Sequence, residues 1–92
     1  MNKKKNIKIL KFPSNSLEIE RRVEAILFAA EEPLDIETIK DRVKLKGDII
    51  KVLESLKKQY ENRGVNLICI TNKWSFRTAT NLSKFMNFQV TN

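Results

Sequence analysis

Few residues in this sequence have side chains suited to catalysis or to metal binding. The chain has no histidine, and histidine is the commonest general base and a common metal ligand. Its single cysteine, Cys69, excludes an internal disulfide and lies in an apolar, strand-like run where a thiol is a poor nucleophile. The sequence has no glycine-rich phosphate-binding loop. We therefore expect a protein that is not an enzyme, with no catalytic, cofactor-binding or metal-binding residues.

The basic residues could instead bind polyanions. The sequence carries 18 Lys and Arg against 11 Asp and Glu, a formal net charge of +7. Clustered cations gain affinity for phosphates because they release counterions. Five of the 18 lie at the N-terminus, at Lys3, Lys4, Lys5, Lys8 and Lys11. A lysine-rich genome would give the same excess, so charge alone leaves DNA binding open.

Two further sets of polar residues are candidates for contact with DNA or with a protein partner. Lys51, Ser55 and Lys58 lie opposite the apolar stripe of a predicted third helix, and Lys73 and Arg77 lie in a predicted hairpin. Acidic residues are interleaved on that helix, and its centre has no Arg, Asn or Gln, which makes a weak surface for reading bases. A solvated helix face explains the same pattern, and Arg77 could pack its stem over the core.

Helical periodicity predicts the first element that positions these residues, a helix over about residues 17–31. Asn15 and Ser16 before it are good N-caps, and Pro33 cannot continue it. The residues before the caps show no trustworthy period. The predicted core-facing stripe consists of Ile19, Val23, Ile26, Leu27 and Ala30.

Two shorter helices follow in the prediction. Asp35 is the N-cap of a helix over about residues 36–43, and Asp48 is the N-cap of a third helix that begins at Ile49. Gly64 is placed to close the third helix in a left-handed conformation.

After Gly64 the period changes from helical to extended. Residues 65–70 are rich in β-branched side chains, residues 71–73 make a turn, and residues 74–79 alternate, with Trp74 and Phe76 placed to cover the core. This pattern predicts a β-hairpin. Three helices followed by a two-stranded hairpin wing is the order of an α+β winged helix-turn-helix domain.

The prediction divides the chain into three parts. Residues 1–14 are a basic flexible tail, residues 15–80 the winged-helix domain, and residues 81–92 a C-terminal tail or the truncated start of a further helix. The sequence has no run of about 18 apolar residues, so we expect no membrane span.

Three motifs together resemble a known family. They are EAILFAAEEPL in the first helix and its exit, the pattern L..L...Y..RG..L from Leu53 to Leu67, and an aromatic-x-aromatic-Arg-Thr strand from Trp74 to Thr78. Over about residues 18–80 they resemble the N-terminal winged-helix domain of segregation and condensation protein B, the bacterial condensin subunit. Each motif alone is weak, and their order and spacing carry the resemblance.

The resemblance implies a non-enzymatic protein of the cytoplasm and nucleoid. Family members are homodimers that bind the kleisin subunit, segregation and condensation protein A, which bridges the heads of a structural-maintenance-of-chromosomes ATPase; the complex condenses and segregates the chromosome. They usually carry a second winged helix, which this chain lacks, so it is expected to be a fragment or a reduced member. The alternative is a small winged-helix transcription regulator that binds DNA; under the family interpretation direct DNA contact is weak.

The run of apolar residues at 25–30 leaves one question open. Phe28 lies nearly opposite the core-facing stripe of the first helix, so packing of that stripe does not bury its side chain. It could be core, since a winged helix sandwiches its first helix, or it could meet a second copy of the chain. The predicted dimer interface consists of Leu17, Glu20, Arg21, Glu24 and Phe28.

Overall fold

The computed structural model describes the backbone of residues 2–86 and the side chains of residues 15–82, 84 and 85. This part of the chain folds into helices packed on a small antiparallel sheet. The elements, in chain order, are α1 (Asn2–Ala29), β1 (Leu34–Asp35), α2 (Ile36–Val43), α3 (Ile49–Gln59), β2 (Val65–Ile70), β3 (Lys73–Thr78) and a 3-10 helix (Thr80–Met86). The order and types confirm the predicted α+β winged helix-turn-helix class.

The first helix is longer than predicted. It begins at Asn2, so Asn15 and Ser16 lie inside α1 and do not cap it. The helix also continues through Pro13, which has no backbone amide to donate, so intrinsic helix propensity does not explain the earlier start. Asn15 instead donates from Nδ2 to the carbonyl of Lys46, at 3.4 Å. The flexibility of residues 1–14 stays a prediction.

The ends of the two shorter helices follow from single side chains. Asp35 Oδ1 accepts from the Thr38 amide at 2.8 Å, and Asp48 Oδ1 accepts from the Lys51 amide at 3.1 Å, which confirms both predicted N-caps. Lys44 closes α2 with a left-handed φ of 57°.

The prediction for Gly64 is wrong, because this residue has no positive φ. Its carbonyl accepts from the Ala79 amide at 2.8 Å, which places it beside the sheet. The carbonyls after α3 are satisfied by a side chain instead: Asn66 Nδ2 donates to the carbonyl of Tyr60 at 2.7 Å. A polar strand residue thus replaces the glycine cap that the sequence suggested.

The sheet has three strands in the order β1-β3-β2, one more than predicted. The added strand is only two residues long, with Leu34 opposite Trp74 and Asp35 opposite Lys73. Two residues are too few to show an alternating pattern, so the sequence gives no strand signal there.

The hairpin turn is tighter than predicted. Ile70 pairs with Lys73, which leaves a loop of two residues, Thr71 and Asn72. Their φ angles of 53° and 63° are both positive, as a type I′ turn requires.

One hydrophobic core joins the helices to the sheet. The predicted stripe of α1 is confirmed, since Ile19, Val23 and Leu27 are buried while Ile26 and Ala30 pack partly buried against the core. Trp74 is buried and Phe76 partly buried, so both cover the core as predicted. The other buried hydrophobic residues of the cluster are Leu34, Ile39, Val43, Ile49, Leu53, Leu56 and Leu67.

Two further predictions concern the C-terminal residues and the absence of a membrane span. Residues 81–86 belong to the 3-10 helix Thr80–Met86, and residues 87–92 lie outside the described residues. Among the described helices, none is long and apolar enough to span a bilayer.

Candidate functional site

Phe28 is the most exposed large hydrophobic residue of the described fold. Its side chain is 83 % exposed and that of Leu17 is 60 % exposed, although both lie on a helix whose opposite face packs against the core. The sequence left open whether Phe28 is buried in the core or in contact with a second copy of the chain. Its exposure excludes the first alternative for a single chain.

The exposed phenylalanine lies at an apolar groove of about 460 Å³. The groove is formed where α1, the end of α3 and the hairpin meet, so it combines side chains that are distant in sequence. Its lining residues are Arg21, Glu24, Ala25, Phe28, Tyr60, Val65 and Phe76.

The groove exists because the helices cover only part of the core-facing side of the hairpin. Leu67 is opposite Phe76 in the antiparallel register and is buried, while Val65, two residues earlier on the same side of β2, is 43 % exposed. The apolar side of the sheet therefore continues from the core into the groove.

Tyr60 holds the floor of the groove in place. Its ring meets Phe76 edge-on, with centroids 4.9 Å apart, and the Arg63 guanidinium carbon lies 4.9 Å from its centroid. Its hydroxyl donates to Glu24, and this hydrogen bond, followed by burial, raises the pKa of Tyr60 while Arg63 opposes the rise. The tyrosine is therefore fixed by contacts with α1, with the residues after α3 and with the sheet.

The two predicted interface acids also join α1 to α3. Glu20 Oε2 accepts from Gln59 Nε2 at 2.6 Å, and Glu24 accepts from Tyr60. Both acids are half-buried, so of the five predicted interface residues only Leu17, Arg21 and Phe28 are exposed.

The exposed Arg21 is not an isolated cation. Its Nη1 lies 2.7 Å from Glu18 Oε1, and Arg22 Nε lies 3.0 Å from Glu18 Oε2. Hydrogen bonds from Arg22 and then Arg21 lower the pKa of Glu18. Positive and negative groups thus alternate along the side of α1 that carries Phe28.

The structure separates the predicted partner or DNA contacts on α3 into two groups. Lys51 and Ser55 line a second groove, about 270 Å³, between α1 and α3, where they lie near Glu20. Lys58 lies elsewhere, in a shallow depression whose other members include Glu54. The interleaved acids give this helix no continuous cationic face.

The two hairpin candidates form a third group. Lys73 and Arg77 are exposed residues of β3, four positions apart, so they point to the same outer side of the sheet. Arg77 lines a depression of about 220 Å³ with Glu31 and Glu32. The five predicted contact residues are therefore not brought together in one site.

Sequence reasoning missed four of the groove residues, Ala25, Tyr60, Val65 and Phe76. Phe76 was predicted to cover the core, and both Tyr60 and Phe76 pack against the core while also lining the groove. The sequence did contain one signal for this groove, Tyr60. A tyrosine at the end of an apolar stripe has a hydroxyl group that needs a hydrogen-bond partner when its ring packs against the core.

The described residues hold no evident metal centre. Among residues 2–86, no three His, Cys, Asp or Glu side chains come together as metal ligands. Cys69 is exposed on β2, in contrast to the apolar surroundings that its neighbours in sequence suggested.

Comparisons with known proteins agree with the fold. A solved structure, described as a conserved hypothetical protein from Chlorobium tepidum, is similar with a TM-score of 0.76 at 19 % identity, over 86 % of this chain and 52 % of that chain. The chain thus spans about half the length of that protein, and at this identity the likeness concerns the fold alone. Among curated proteins, none matches this sequence.

A family comparison is more specific. The family described as segregation and condensation complex subunit ScpB matches residues 21–92, which is well over half of the chain and includes α2, α3 and the whole hairpin. The match covers the segments that carried the resemblance in the sequence. This chain belongs to the ScpB family of segregation and condensation complex subunits.

Proposed function

We propose that this protein is a non-enzymatic subunit of a bacterial condensin-like complex and acts in chromosome condensation and segregation, in the cytoplasm at the nucleoid. The observation that carries the proposal is the family match over residues 21–92. In this proposal the partners are the kleisin subunit, segregation and condensation protein A, and through it a structural-maintenance-of-chromosomes ATPase. Hydrolysis of ATP belongs to that partner.

The second part of the proposal is that the chain forms a homodimer through the Phe28 side of α1. A phenylalanine that is 83 % exposed beside an apolar groove is unfavourably hydrated, and burying such a side chain contributes about 1.5–3 kcal/mol. The interface would be built around Leu17, Glu20, Arg21, Glu24 and Phe28, together with the groove.

A second copy of this chain fits the surface because the surface is self-complementary. In a two-fold interface the same patch serves both subunits. Phe28 of one copy would enter the apolar groove of the other, while Arg21 and Glu24 at the groove offer opposite charges to each other across the axis. Both components of the contact, the aromatic side chain and the groove, are present in every chain.

The kleisin contact would lie partly beside this interface, because Lys51 and Ser55 line a groove with Glu20 and Arg77 lines a depression with Phe28. Lys51, Ser55, Lys58, Lys73 and Arg77 are exposed and lie on α3 and on the outer side of the hairpin. They remain our candidates for contact with the kleisin. Since the groups are separate, we expect an extended kleisin segment to touch them one after another.

Sedimentation tests the dimer. We expect the wild-type chain to sediment as a dimer at tens of micromolar, and Phe28→Ala to shift it toward monomer because the aromatic anchor is lost. Phe28→Lys should shift it further, since it places an uncompensated charge in an apolar contact. Neither change should unfold the chain, as Phe28 is outside the core.

The matched control is Ile50→Lys. Ile50 is also an exposed apolar residue on a helix, 53 % exposed, and does not line the groove. It should leave the dimer intact. A wild-type chain that is monomeric at tens of micromolar, or an Ile50→Lys variant that dissociates as readily as Phe28→Lys, would sink the dimer proposal.

A pull-down from the native cell tests the complex. The tagged chain should recover a long coiled-coil ATPase and its kleisin, and a variant with Lys51, Lys58 and Arg77 changed to Glu should recover less of both. Recovery of other proteins from cells in which the ATPase and kleisin are abundant would contradict membership of the complex, whatever sedimentation finds.

A further inference from the structure

We propose that the segment that ends α2 and leads to α3, residues 40–46, binds the phosphate backbone of duplex DNA without sequence preference. We call these residues the basic segment. This inference goes beyond membership of a condensin-like complex, and it depends neither on the dimer nor on the kleisin contact.

The positive charge of the winged helix is concentrated in the basic segment. The segment contains one acidic residue, Asp41, and has a net charge of +3. Its four basic residues are Lys40, Arg42, Lys44 and Lys46. In the rest of residues 15–92, nine basic residues face ten acidic residues, a net charge of −1. The excess of positive charge after residue 14 therefore belongs to this one segment.

Every exposed side chain between residues 40 and 48 is charged. Val43 is buried and Leu45 packs partly buried against the core, so the two apolar side chains of this stretch point inward. The exposed positions are the four cations, Asp41, Gly47 and Asp48. The surface of the basic segment is therefore ionic and offers a partner no apolar side chain.

The four cations of the basic segment are not neutralised within the fold. Among the side chains that the structure describes, the ion pairs are those of Glu18 with Arg21 and Arg22. The nearby Asp48 is already occupied, since its Oδ1 accepts from the Lys51 amide at 3.1 Å. The cations are therefore available to an anion from outside the chain.

The backbone of the basic segment is held against α1. Arg22 Nη1 donates to the carbonyl of Val43 at 2.8 Å, and Asn15 Nδ2 donates to that of Lys46 at 3.4 Å. Directly after the segment, Gly47 lies so close to α1 that an added Cβ would overlap a buried side chain of that helix. A backbone fixed in this way costs little further ordering when a ligand binds.

Lys44 occupies a position that stability alone would give to glycine. It closes α2 with a left-handed φ of 57°, and glycine is the usual residue there because a Cβ is unfavourable in that conformation. The dipole of α2 favours the cations Lys40 and Arg42 in its last turn, but Lys46 lies beyond the helix. Helix stability does not account for lysine at 44 and at 46, whereas binding of a polyanion accounts for both.

Duplex DNA suits this surface better than an acidic protein or a membrane does. Protein interfaces depend on a few large side chains buried at their centre, and a helix that lies in a membrane needs an apolar face. The basic segment exposes neither. Phosphates need only positive charge, and three of the four cations are lysines, which act as point charges and carry no base information. The binding should therefore be non-specific.

Fluorescence anisotropy with a random 30-base-pair duplex tests the proposal on the full chain. We compare wild type with a variant in which Arg42, Lys44 and Lys46 are changed to Gln. At low salt the variant should bind at least about tenfold more weakly, because three phosphate contacts are lost. Each contact contributes about −0.9 to the slope of log K against log salt, so the slope of the variant should be smaller by about 2 to 3.

The matched control changes Lys57, Lys58 and Arg77 to Gln, which removes the same charge from exposed positions outside the basic segment. Each of the three lines a depression that also contains two glutamates. The control should bind within about twofold of wild type, because the neighbouring acids already offset the charge. Unchanged binding by the basic-segment variant, an equal loss in the control, or a preference among DNA sequences well above tenfold would each overturn the proposal.

The single substitution Lys44→Gly separates binding from folding. Glycine adopts the left-handed conformation without strain, so the unfolding temperature of the variant should not fall. Binding to the duplex should weaken, and the salt slope should be smaller by about 1, because one phosphate contact is lost. A lower unfolding temperature with unchanged binding would show that Lys44 stabilises the fold and does not contact DNA.

Two further measurements locate the contact and identify the polyanion. On titration with the duplex, the amide resonances of residues 40–48 should shift in the nuclear magnetic resonance spectrum, and shifts confined to other residues would reject the basic segment as the site. A poly-glutamate peptide and vesicles of phosphatidylserine and phosphatidylcholine should compete only weakly with DNA at equal charge. Full competition by the peptide would assign the segment to an acidic protein, and full competition by the vesicles would assign it to a membrane; either result rejects DNA.

Discussion

At the scale of single residues, Gly47 shows how closely the connection between α2 and α3 approaches α1. A Cβ atom added at Gly47 would overlap Cδ1 of Ile19, a side chain that is only 2 % exposed. The φ angle of Gly47 is not positive. The glycine is therefore required by the close approach and not by a special backbone conformation.

Substitution of the two glycines by alanine should have opposite effects. Gly47→Ala forces Ile19 to move inside a packed core, so we expect the free energy of unfolding to fall by about 1–3 kcal/mol. At Gly64 the nearest side-chain atom, Leu82 Cδ1, lies at an ordinary 3.6 Å, so Gly64→Ala should be neutral or stabilise by about 0.4–1 kcal/mol. Urea denaturation measures both, and equal losses would contradict the packing argument.

The two glycines also mark what the sequence could predict at this scale. A left-handed conformation was predicted for Gly64 and is wrong, while nothing in the sequence pattern pointed to the close approach at Gly47. A glycine in a sequence indicates special geometry but does not say whether a positive φ or a close neighbour requires it. The left-handed residues of the described chain are Lys44, Thr71 and Asn72.

At the scale of elements, Asp35 belongs to two structures at once. Its backbone pairs with Lys73 in the sheet, and its side chain caps α2 through the amide of Thr38. Hydrogen bonds from Thr38, the backbone amide first, lower the pKa of Asp35 below its ordinary value of 3.8. One carboxylate thus fixes where β1 ends and α2 begins.

This coupling predicts a dependence on pH in acid. Because the folded pKa lies below 3.8, the carboxylate contributes stability above that pH and loses it as the pH falls through the folded value. Asp35→Asn keeps an accepting oxygen without titrating, so its unfolding temperature should fall less in acid than that of wild type. Asp35→Ala should unfold at a lower temperature even at pH 7, since α2 loses its cap.

Glu18 provides the internal check on this measurement. Its pKa is also lowered, by Arg22 and Arg21, so acid will destabilise every variant through Glu18. Only the difference between wild type and Asp35→Asn reports on Asp35. Parallel curves in acid would mean that the hydrogen bond to Thr38 contributes nothing to stability.

The elements differ in how much of them the sequence predicts. Helix α2 and the start of α3 follow from an aspartate cap and an apolar period, both of which are local signals. Strand β1 is defined only by its pairing with β3, which no local pattern reports. The start of α1 was missed because Pro13, Asn15 and Ser16 are all local signals for a helix boundary, and the helix nevertheless continues through them.

At the scale of the whole molecule, the order of elements is enough to predict the winged helix, but not the groove. The groove combines Ala25, Tyr60, Val65 and Phe76 from different segments, and their meeting depends on how α1 lies across the hairpin. Periodicity assigns each residue to one side of its own element. Periodicity does not say how far one element extends over the element that it packs against. That extent determines which apolar side chains, such as Phe28, stay exposed.

The exposure of Phe28 has a consequence for how stability depends on concentration. The core of the described fold is complete without Phe28, so the folding of one chain and the association of two chains are separate steps. In the proposed dimer only the folded chain associates, so mass action should raise the unfolding temperature of wild type as its concentration rises. The unfolding temperature of Phe28→Lys should not change with concentration, and scanning calorimetry over a wide range of concentrations measures both.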